Sequence, residues 1–271
     1  MHYADLHIHS CYSDGSCTPA QIIAQARKAG VRLLSVTDHN VVQGTLEAAP
    51  LAAEAGLAFI GGVEIDALHE GRDIHILCYG ADLSNEALLS RIRHARRQLD
   101  EMSVELLRRM LPEYPGLSLS EYEQSSHDSS RGGWKMLQYL QAKAVTGDLK
   151  SGLAYYDRYG VTYAEAGFDS AETIIQAIHA AGGRAVLAHP GVVFPVDRLS
   201  TFESHVLSAL EPGMDGVECY YPRHDASITR RCLDICNARR LLITAGSDCH
   251  GAFNHNKIGQ TQTRISQLRL E

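Results

Sequence analysis

The length and composition of the chain predict a globular protein with a substantial core, because 45% of its 271 residues are hydrophobic. Its net charge of −7 excludes a global positive field of the kind that drives binding to long nucleic acids. No apolar run is long enough to span a membrane, and the seven cysteines include no Cys-x-x-Cys pair. We therefore expect a reduced, cytoplasmic protein without membrane or long nucleic-acid partners.

Strands and helices alternate over the first 83 residues. We predict strands at residues 3–9, 33–37, 57–65 and 73–79 and helices at residues 18–29 and 45–55. Thr18-Pro19 is typical of a helix start, and Gly30 of a helix end. The third and fourth strands are expected to pair as a hairpin across Glu70-Gly71. This alternation favours a mainly parallel sheet, either open or closed.

The pattern changes to helices alone between residues 84 and 167. An amphipathic helix is predicted at residues 86–111, and a second helical block begins at Trp134. Alternation then resumes, with helices at residues 171–181 and 226–237 and strands at residues 185–188, 216–220 and 241–246. We therefore predict a seven-stranded α/β domain formed by residues 1–83 and 168–271, into which residues 84–167 are inserted as a small helical cap.

Residue types that bind metals occur at the ends of nearly all predicted strands. They are His7 and His9 on the first, Asp38 and His39 on the second, Glu64 on the third, His75 on the fourth, His189 on the fifth, and Asp248 with His250 after the seventh. Each residue alone could be an ordinary surface or core residue. In a barrel, however, the carboxyl ends of parallel strands open onto one face, so residues far apart in the chain can converge there. The pattern therefore predicts a metal site.

Five short blocks, "DLHIHS", "TDHN", "GVEI", "LAHPG" and "GSDCHG", resemble the motifs of the PHP (polymerase and histidinol phosphatase) superfamily of metal-dependent phosphoesterases. The resemblance implies a distorted seven-stranded TIM-like β/α barrel that holds two to three divalent ions. It assigns one ion to His7, His9, Glu64 and Asp248, a second to Glu64, His75 and His189, and a third to Asp14, His39 and His250. Imidazole and carboxylate ligands together suit Mn²⁺, Fe²⁺ or Zn²⁺, of which we favour Mn²⁺.

The resemblance also implies hydrolysis of phosphoric esters. Two ions that share Glu64 would provide a bridging hydroxide as the nucleophile, so that no serine or cysteine nucleophile is required. Glu64, His189 and Asp248 are the residues expected to support catalysis, while Asp38 is expected to orient His39. The expected substrate is a small phosphorylated metabolite, either a phosphomonoester or a cyclic phosphodiester.

Four residues are candidates for substrate binding: Arg131, Lys135 and Arg158 in the inserted segment and His224 after the sixth strand. An arginine can contact a phosphate through two hydrogen bonds and a lysine as a point charge, although the cationic residues could equally be solvated surface charges. Trp134 could stack on a base or sugar, or pack in the core.

Three alternative functions remain open. A 3′,5′-nucleoside bisphosphate phosphatase or short-oligonucleotide exonuclease would use the same site. Family members that act on such bisphosphates commonly carry a segment like Arg-x-His-Phe-Ala-Arg, where this chain has Arg131-Gly132-Gly133-Trp134-Lys135. Hydrolysis of an amide or lactone is a second alternative, which the cationic residues of the cap disfavour. A noncatalytic metal-binding module is the third, which the complete set of ligand residues disfavours.

Overall fold

A computed structural model describes residues 2–271 and shows a mixed α/β fold with two sheets. Eight strands lie within these residues: β1 (Tyr3–Asp5), β2 (Val31–Leu34), β3 (Ala58–Phe59), β4 (Gly62–His69), β5 (Arg72–Tyr79), β6 (Arg184–Leu187), β7 (Gly216–Tyr220) and β8 (Leu242–Ala245). The first three form one sheet in the order β1-β2-β3, and the other five form the second in the order β4-β5-β6-β7-β8.

The prediction of a single third strand at residues 57–65 is wrong, because two strands share this segment. β3 pairs with β2 and ends after Phe59, where the Ile60 amide still donates to the carbonyl of Leu34. From Gly62 onward the chain pairs with β5 instead. The first strand, predicted at residues 3–9, is also shorter than expected, because its regular pairing with β2 ends at Asp5.

Most strand pairs are parallel, as predicted, but β5 runs antiparallel to both of its neighbours. The expected hairpin of β4 and β5 is confirmed, with Asp66 paired directly to His75. His75 therefore lies in the first half of its strand, not at the carboxyl end as the sequence suggested. The reversed direction of β5 explains why this half of the strand still reaches the edge where the parallel strands end.

Backbone hydrogen bonds connect the edges of the two sheets. The Leu6 amide donates to the carbonyl of Ala245 at 2.8 Å, next to β8. On the other side, the Asn40 amide donates to the carbonyl of Glu64 in β4, also at 2.8 Å. The polar segments that follow β1, β2 and β8 are thereby brought next to the start of β4.

Helices connect the strands and fill the segment between β5 and β6. They are α1 (Pro19–Lys28), α2 (Gln43–Glu54), α3 (Glu86–Met110), α4 (Leu119–Gln124), α5 (Lys135–Ala142), α6 (Ala154–Arg158), α7 (Tyr163–Ala166), α8 (Ala171–Ala180), α9 (Pro190–Val193), α10 (Leu199–Leu210) and α11 (Ala226–Arg239). The start of α1 follows the sequence signal: Thr18 caps the helix, and its side chain and that of Gln21 form a reciprocal capping box. The helix α10 was not predicted.

Three apolar cores hold these layers together, and the smallest joins Ala4 of β1 to Leu77 of β5. The largest core lies between the second sheet and the helices α3, α8, α10 and α11, and it includes the fully buried Ile65, Leu88 and Phe202. The core of intermediate size packs β2 against α1 and α2. Buried polar side chains are concentrated where the strands end. Within residues 2–271, no helix is both long and apolar enough to cross a bilayer.

Candidate metal centre

Glu64 lies at the centre of the polar cluster. Its side chain is fully buried near the start of β4. Five imidazoles place a ring nitrogen within 3.3 Å of its carboxylate: those of His7, His9, His39, His75 and His189. These histidines come from four different segments of the chain, so the fold brings together residues up to 182 positions apart, from His7 to His189.

A second part of the cluster surrounds His9. Oδ1 of Asp248 lies 3.2 Å from Nε2 of His9 and 3.6 Å from Nε2 of His7. The His250 ring stacks on the His9 ring with 3.9 Å between centroids. Nε2 of His250 lies 3.2 Å from Oδ1 of Asp14. All nine residues predicted as metal ligands therefore lie in one continuous cluster.

The donor atoms of this cluster fall into four groups that could each hold a cation: His9, Asp14, His39 and His250; His7, Glu64 and His189; His7, His9 and Asp248; and His39, Glu64 and His75. Within each group, the donor atoms lie within 4.8 Å of one another. Two imidazole nitrogens, Nε2 of His7 and of His9, face each other at 3.0 Å. A shared cation would relieve this contact between two nitrogens, only one of which can donate a hydrogen bond to the other.

Several buried polar atoms of the cluster have no hydrogen-bond partner: Nδ1 of His9, His39 and His189, and Oδ1 of Asp14 and Asp66. Buried polar groups in folded proteins are normally paired, so several unpaired atoms within one cluster are typical of a ligand site. The donors are nitrogen and carboxylate oxygen, without thiolate. Such a set fits a divalent transition metal.

The electrostatics of the cluster also suit a cation. Burial alone would raise the pKa of Glu64, but the positive charges of His7, His39 and His75 outweigh burial and hold this pKa well below its usual value. Burial lowers the pKa of His250, whereas Asp14 and other carboxylates raise it more strongly, to about 9. Protons on the imidazoles thus balance buried carboxylates, and a divalent cation can replace them.

Asp66 is a buried member of the cluster that the sequence analysis missed. Its Oδ1 lies 3.3 Å from Nδ1 of His39 and 3.2 Å from Nε2 of His75. Asn40 donates a hydrogen bond to its other oxygen. A carboxylate in this position favours a proton on Nδ1 of His39 and on Nε2 of His75. The other nitrogen of each ring, which faces Glu64, is then free to bind a cation. The signal was the two-residue spacing from Glu64, which places both carboxylates on one face of β4.

The expected role of Asp38 differs from its observed contacts. Its carboxylate accepts hydrogen bonds from the backbone and side chain of Ser10 and from the side chain of Ser13, each at 2.7 Å. The prediction that Asp38 orients His39 is therefore wrong. Asp38 instead fixes the loop that leads to Asp14.

The candidate substrate residues are less close to the cluster. Lys135 donates to the carbonyl of Glu123 at 3.0 Å, and its Nζ lies 4.9 Å from the centroid of the Tyr122 ring. Arg131 is exposed and donates to the side chain of Gln141. The polar atoms of Arg131 and Lys135 thus contact other residues of the helical segment, although the backbone between them approaches the cluster, where the Gly133 amide donates to the carbonyl of Asp14 at 2.7 Å.

Two candidates have their polar atoms engaged elsewhere. Arg158 is exposed and donates to Glu113 at 2.9 Å. His224 is bonded at both ring nitrogens: Nε2 accepts from the Gly191 amide at 3.0 Å, and Nδ1 lies 3.1 Å from the carbonyl of Cys219. A histidine with both nitrogens occupied by backbone is suited to hold a loop in place.

A cavity of about 540 Å³ lies beside the cluster. Its walls come mainly from the helical segment and include Arg96, Tyr122, Trp134, Lys135 and Tyr163. Trp134 and Tyr163 also approach the cluster, with ring centroids 6.0 Å from His39 and 6.4 Å from His75, respectively. The cavity is large enough for a metabolite-sized ligand. None of the nine ligand residues lines it, and Trp134 and Tyr163 are the wall residues that approach the cluster.

A family model for the PHP domain matches residues 5–186. The chain belongs to the PHP family. A phosphoribosyl 1,2-cyclic phosphate 1,2-diphosphodiesterase from Eggerthella lenta is 30% identical over 92% of this PHP chain and 94% of its own length. A 3′,5′-nucleoside bisphosphate phosphatase from Chromobacterium violaceum is 28% identical over 95% of this chain and 91% of its own length.

The fold has a counterpart among solved structures. A crystal structure described provisionally as a metal-dependent phosphoesterase from Bifidobacterium adolescentis is similar to this PHP protein with a TM-score of 0.79 and 25% identity. The similarity covers 97% of this chain and 93% of the other. The predictions of PHP membership and of a phosphoesterase are thereby confirmed, and the comparisons favour an enzyme over a noncatalytic metal-binding module.

Proposed function

We propose that this PHP phosphoesterase hydrolyses a small phosphorylated metabolite at the cluster around Glu64, with a phosphomonoester or a cyclic phosphodiester as the substrate. The observation that carries the proposal is the convergence of nine donor residues, from His7 to His250, beside a cavity of metabolite size. The Eggerthella lenta relative, which matches nearly the whole chain, favours the cyclic phosphodiester.

The proposed ligands form three overlapping sets: His7, His9, Glu64 and Asp248; Glu64, His75 and His189; and Asp14, His39 and His250. The donor groups that contain His9, Asp14, Asp248 and His250 support the first and third sets. In the second set, His75 and His189 both lie on Oε1 of Glu64, at 3.0 and 3.1 Å. Two or three divalent ions, with Mn²⁺ favoured, would supply Lewis acidity that polarises the phosphoryl group and makes water nucleophilic at neutral pH.

We also assign the two sheets to one distorted barrel. The support is the pair of backbone connections, Leu6 to Ala245 and Asn40 to Glu64, that join the sheets at two edges. In this arrangement all ligand-bearing strand ends face the same side.

The helical segment at residues 84–167 acts in this proposal as the cap that selects the substrate. The part of the substrate beyond the phosphoryl group occupies the cavity, between the rings of Trp134 and Tyr163, which flank the His39 and His75 side of the cluster. Lys135 lies on the cavity wall and remains a candidate for phosphate contact. Arg131 does not line the cavity, and its guanidinium donates to Gln141, so it is the weaker candidate of the two. The contacts of Arg158 and His224 favour structural roles for these two residues.

A 3′,5′-nucleoside bisphosphate phosphatase is the second candidate. The Chromobacterium violaceum relative supports it, and so do the cations of Arg96 and Lys135 in the cavity, where a second phosphate could bind. The carboxylates of Asp73, Asp100 and Asp157 line the same cavity and oppose a second anion.

A substrate panel tests the proposal. Chelator-treated protein is reloaded with Mn²⁺ and incubated with sugar phosphomonoesters, sugar cyclic phosphodiesters, 3′,5′-nucleoside bisphosphates and short oligonucleotides. We expect ester hydrolysis, measured as released phosphate or as new phosphomonoester, to be fastest with a sugar monoester or cyclic diester. Preference for a bisphosphate would select the second candidate. Protein that binds Mn²⁺ but hydrolyses none of these compounds would refute both.

A further inference from the structure

No metal ligand was assigned to the end of strand β7, yet β7 lies between β6 and β8, which both lead into ligands. Three polar side chains on or just after β7 point at neighbouring ligand-bearing segments. They are Glu218, Tyr221 and His224.

Glu218 contacts two of the proposed ligands at once. Its side chain is fully buried. One oxygen lies 3.1 Å from Nδ1 of His7, and the other accepts a hydrogen bond from the backbone amide of His189 at 2.8 Å. An ionised carboxylate only accepts hydrogen bonds, so His7 must donate from Nδ1, which leaves Nε2 free to face Glu64 and His9.

Tyr221 acts on a third ligand. Its hydroxyl donates to Oδ2 of Asp248 at 2.8 Å. The other oxygen of Asp248 remains directed at His9 and His7. Tyr221 thereby determines which carboxylate oxygen faces the cluster.

The backbone of two ligands needs such support. His189 has a φ of 27° and Asp248 a φ of 52°, both in the left-handed region that residues other than glycine seldom adopt. Such conformations persist where the surroundings fix them. The bonds from β7 reach both residues, and His224 accepts from the amide of Gly191, two residues after His189.

Close packing behind His7 leaves little freedom for other arrangements. Gly246 follows β8, and a Cβ there would collide with the Cβ of His7 and with Oε1 of Glu218. A buried carboxylate without a partner would be costly, and an apolar side chain could fill the same volume. The contact with the ligands therefore gives a physical reason for a carboxylate, and not an apolar side chain, at position 218.

We infer that Glu218 and Tyr221 are positioning residues that hold His7, His189 and Asp248 in the geometry required for binding divalent ions. The inference rests on the proposed function only in taking the cluster to bind metal. It assigns β7 a role in metal affinity, separate from substrate recognition in the cap.

The test measures binding of Mn²⁺ alone by calorimetry, using chelator-treated full-length protein. The variants are Glu218→Gln, which keeps the side-chain shape, and Tyr221→Phe, which removes one oxygen. Loss of a residue that orients a metal ligand typically weakens metal binding by about 10- to 100-fold, and we expect this range for both variants. The matched control is Tyr139→Phe, which removes a buried hydroxyl bonded to Ser118 in the helical segment.

Turnover provides a second readout. Because the two residues act through the metal, excess Mn²⁺ should restore much of the turnover of Tyr221→Phe, which a general loss of stability would not predict. The inference is overturned if both variants bind Mn²⁺ within about twofold of the wild type, or if the control loses as much affinity. It is also overturned if wild-type protein binds no Mn²⁺, Fe²⁺ or Zn²⁺. If Glu218→Gln fails to fold, Tyr221→Phe decides.

The outcomes separate this inference from the proposed function. Wild-type protein that binds Mn²⁺ more tightly than the two variants, yet hydrolyses no phosphoric ester, would refute the proposed function and support the role of β7. Hydrolysis that depends on Mn²⁺, with equal metal affinity in wild type and variants, would support the proposed function and refute the role of β7.

Discussion

The ligand cluster and the helical segment at residues 84–167 approach each other at the rings of Trp134 and Tyr163, but their charged side chains lie in opposite environments. In the cluster, His7 and Glu64 are fully buried and 3.0 Å apart. In the helical segment, the pair of Arg158 and Glu113 is 53% and 54% exposed. Water screens exposed pairs, so each contributes little, whereas a change to one buried charge leaves its partners uncompensated. Substitutions in the cluster should therefore abolish chemistry, and those in the helical segment should alter substrate affinity.

The largest effect is expected for Glu64→Gln. An uncharged amide cannot compensate the five surrounding imidazoles, and it is a poor ligand for divalent ions. We expect loss of bound metal and a fall in turnover of roughly 1,000-fold or more, measured by metal analysis and product release. Glu54→Gln, at the exposed end of α2, is the matched control and should behave as wild type. A fully active Glu64→Gln enzyme would show that the cluster is not the reaction centre.

Metal affinity should depend on pH. His250, with its pKa raised from 6.5 to about 9, carries a proton at neutral pH that a bound ion must displace. Displacement of this one proton should make the affinity for Mn²⁺ rise by about tenfold per pH unit as the pH approaches 9. The affinity is measured by calorimetry. His250→Ala should reduce the slope of the logarithm of Mn²⁺ affinity against pH by about one. An equal slope in the variant would place the titrating group elsewhere.

The same raised pKa predicts the stability of the metal-free protein. The proton on His250 stabilises the folded state fully below pH 6.5, and this contribution is lost as the pH rises through about 9. Chelated protein should therefore melt at a lower temperature at pH 9 than at neutral pH.

Trp134→Ala should affect the other region. Loss of the ring on the cavity wall is expected to raise KM by about tenfold while metal affinity stays unchanged. Trp134→Phe retains a ring and should recover most of the loss. If Trp134→Ala instead weakened Mn²⁺ binding with an unchanged KM, the two regions would not be functionally separate.

The smallest effect is expected for Lys135→Ala. Its ammonium lines the cavity, so its loss should raise KM by about fivefold with little change in kcat. Arg158→Ala is the matched control, since this exposed cation is held by Glu113 outside the cavity wall. Equal effects of the two substitutions on KM would indicate a general influence of positive charge.

The difference between the two regions also determines what the sequence could predict. Most ligand positions could be predicted because they lie at or just after the end of a predicted strand, where chain direction and spacing restrict the side chain to one face. Glu64, however, lies near the start of β4 in the structure, and Asp14 was assigned only by the family resemblance. His75 was placed in the cluster correctly but for an incomplete reason, since its strand runs in reverse. Glu218 was missed because it lies inside a strand and not at its end, although a charge within an apolar strand is itself unusual. Asp66 was missed although its two-residue spacing from Glu64 places it on the same face of β4.

The cavity could not be predicted from spacing. Its wall combines Asp73 of β5 with residues from Arg96 to Tyr163, which meet through the packing of α3 against the shorter helices. Arg158 and Lys135 look equivalent as cationic residues in the same segment, and only the three-dimensional contacts distinguish them.

A metal titration coupled to hydrolysis tests the central claim most directly. Chelator-treated protein is titrated with Mn²⁺ while bound metal and ester hydrolysis are measured in the same samples. The account predicts no hydrolysis in the stripped protein and activity that rises in proportion to occupied sites. Hydrolysis by stripped protein, or full occupancy without hydrolysis of any phosphoric ester in the panel, would contradict it.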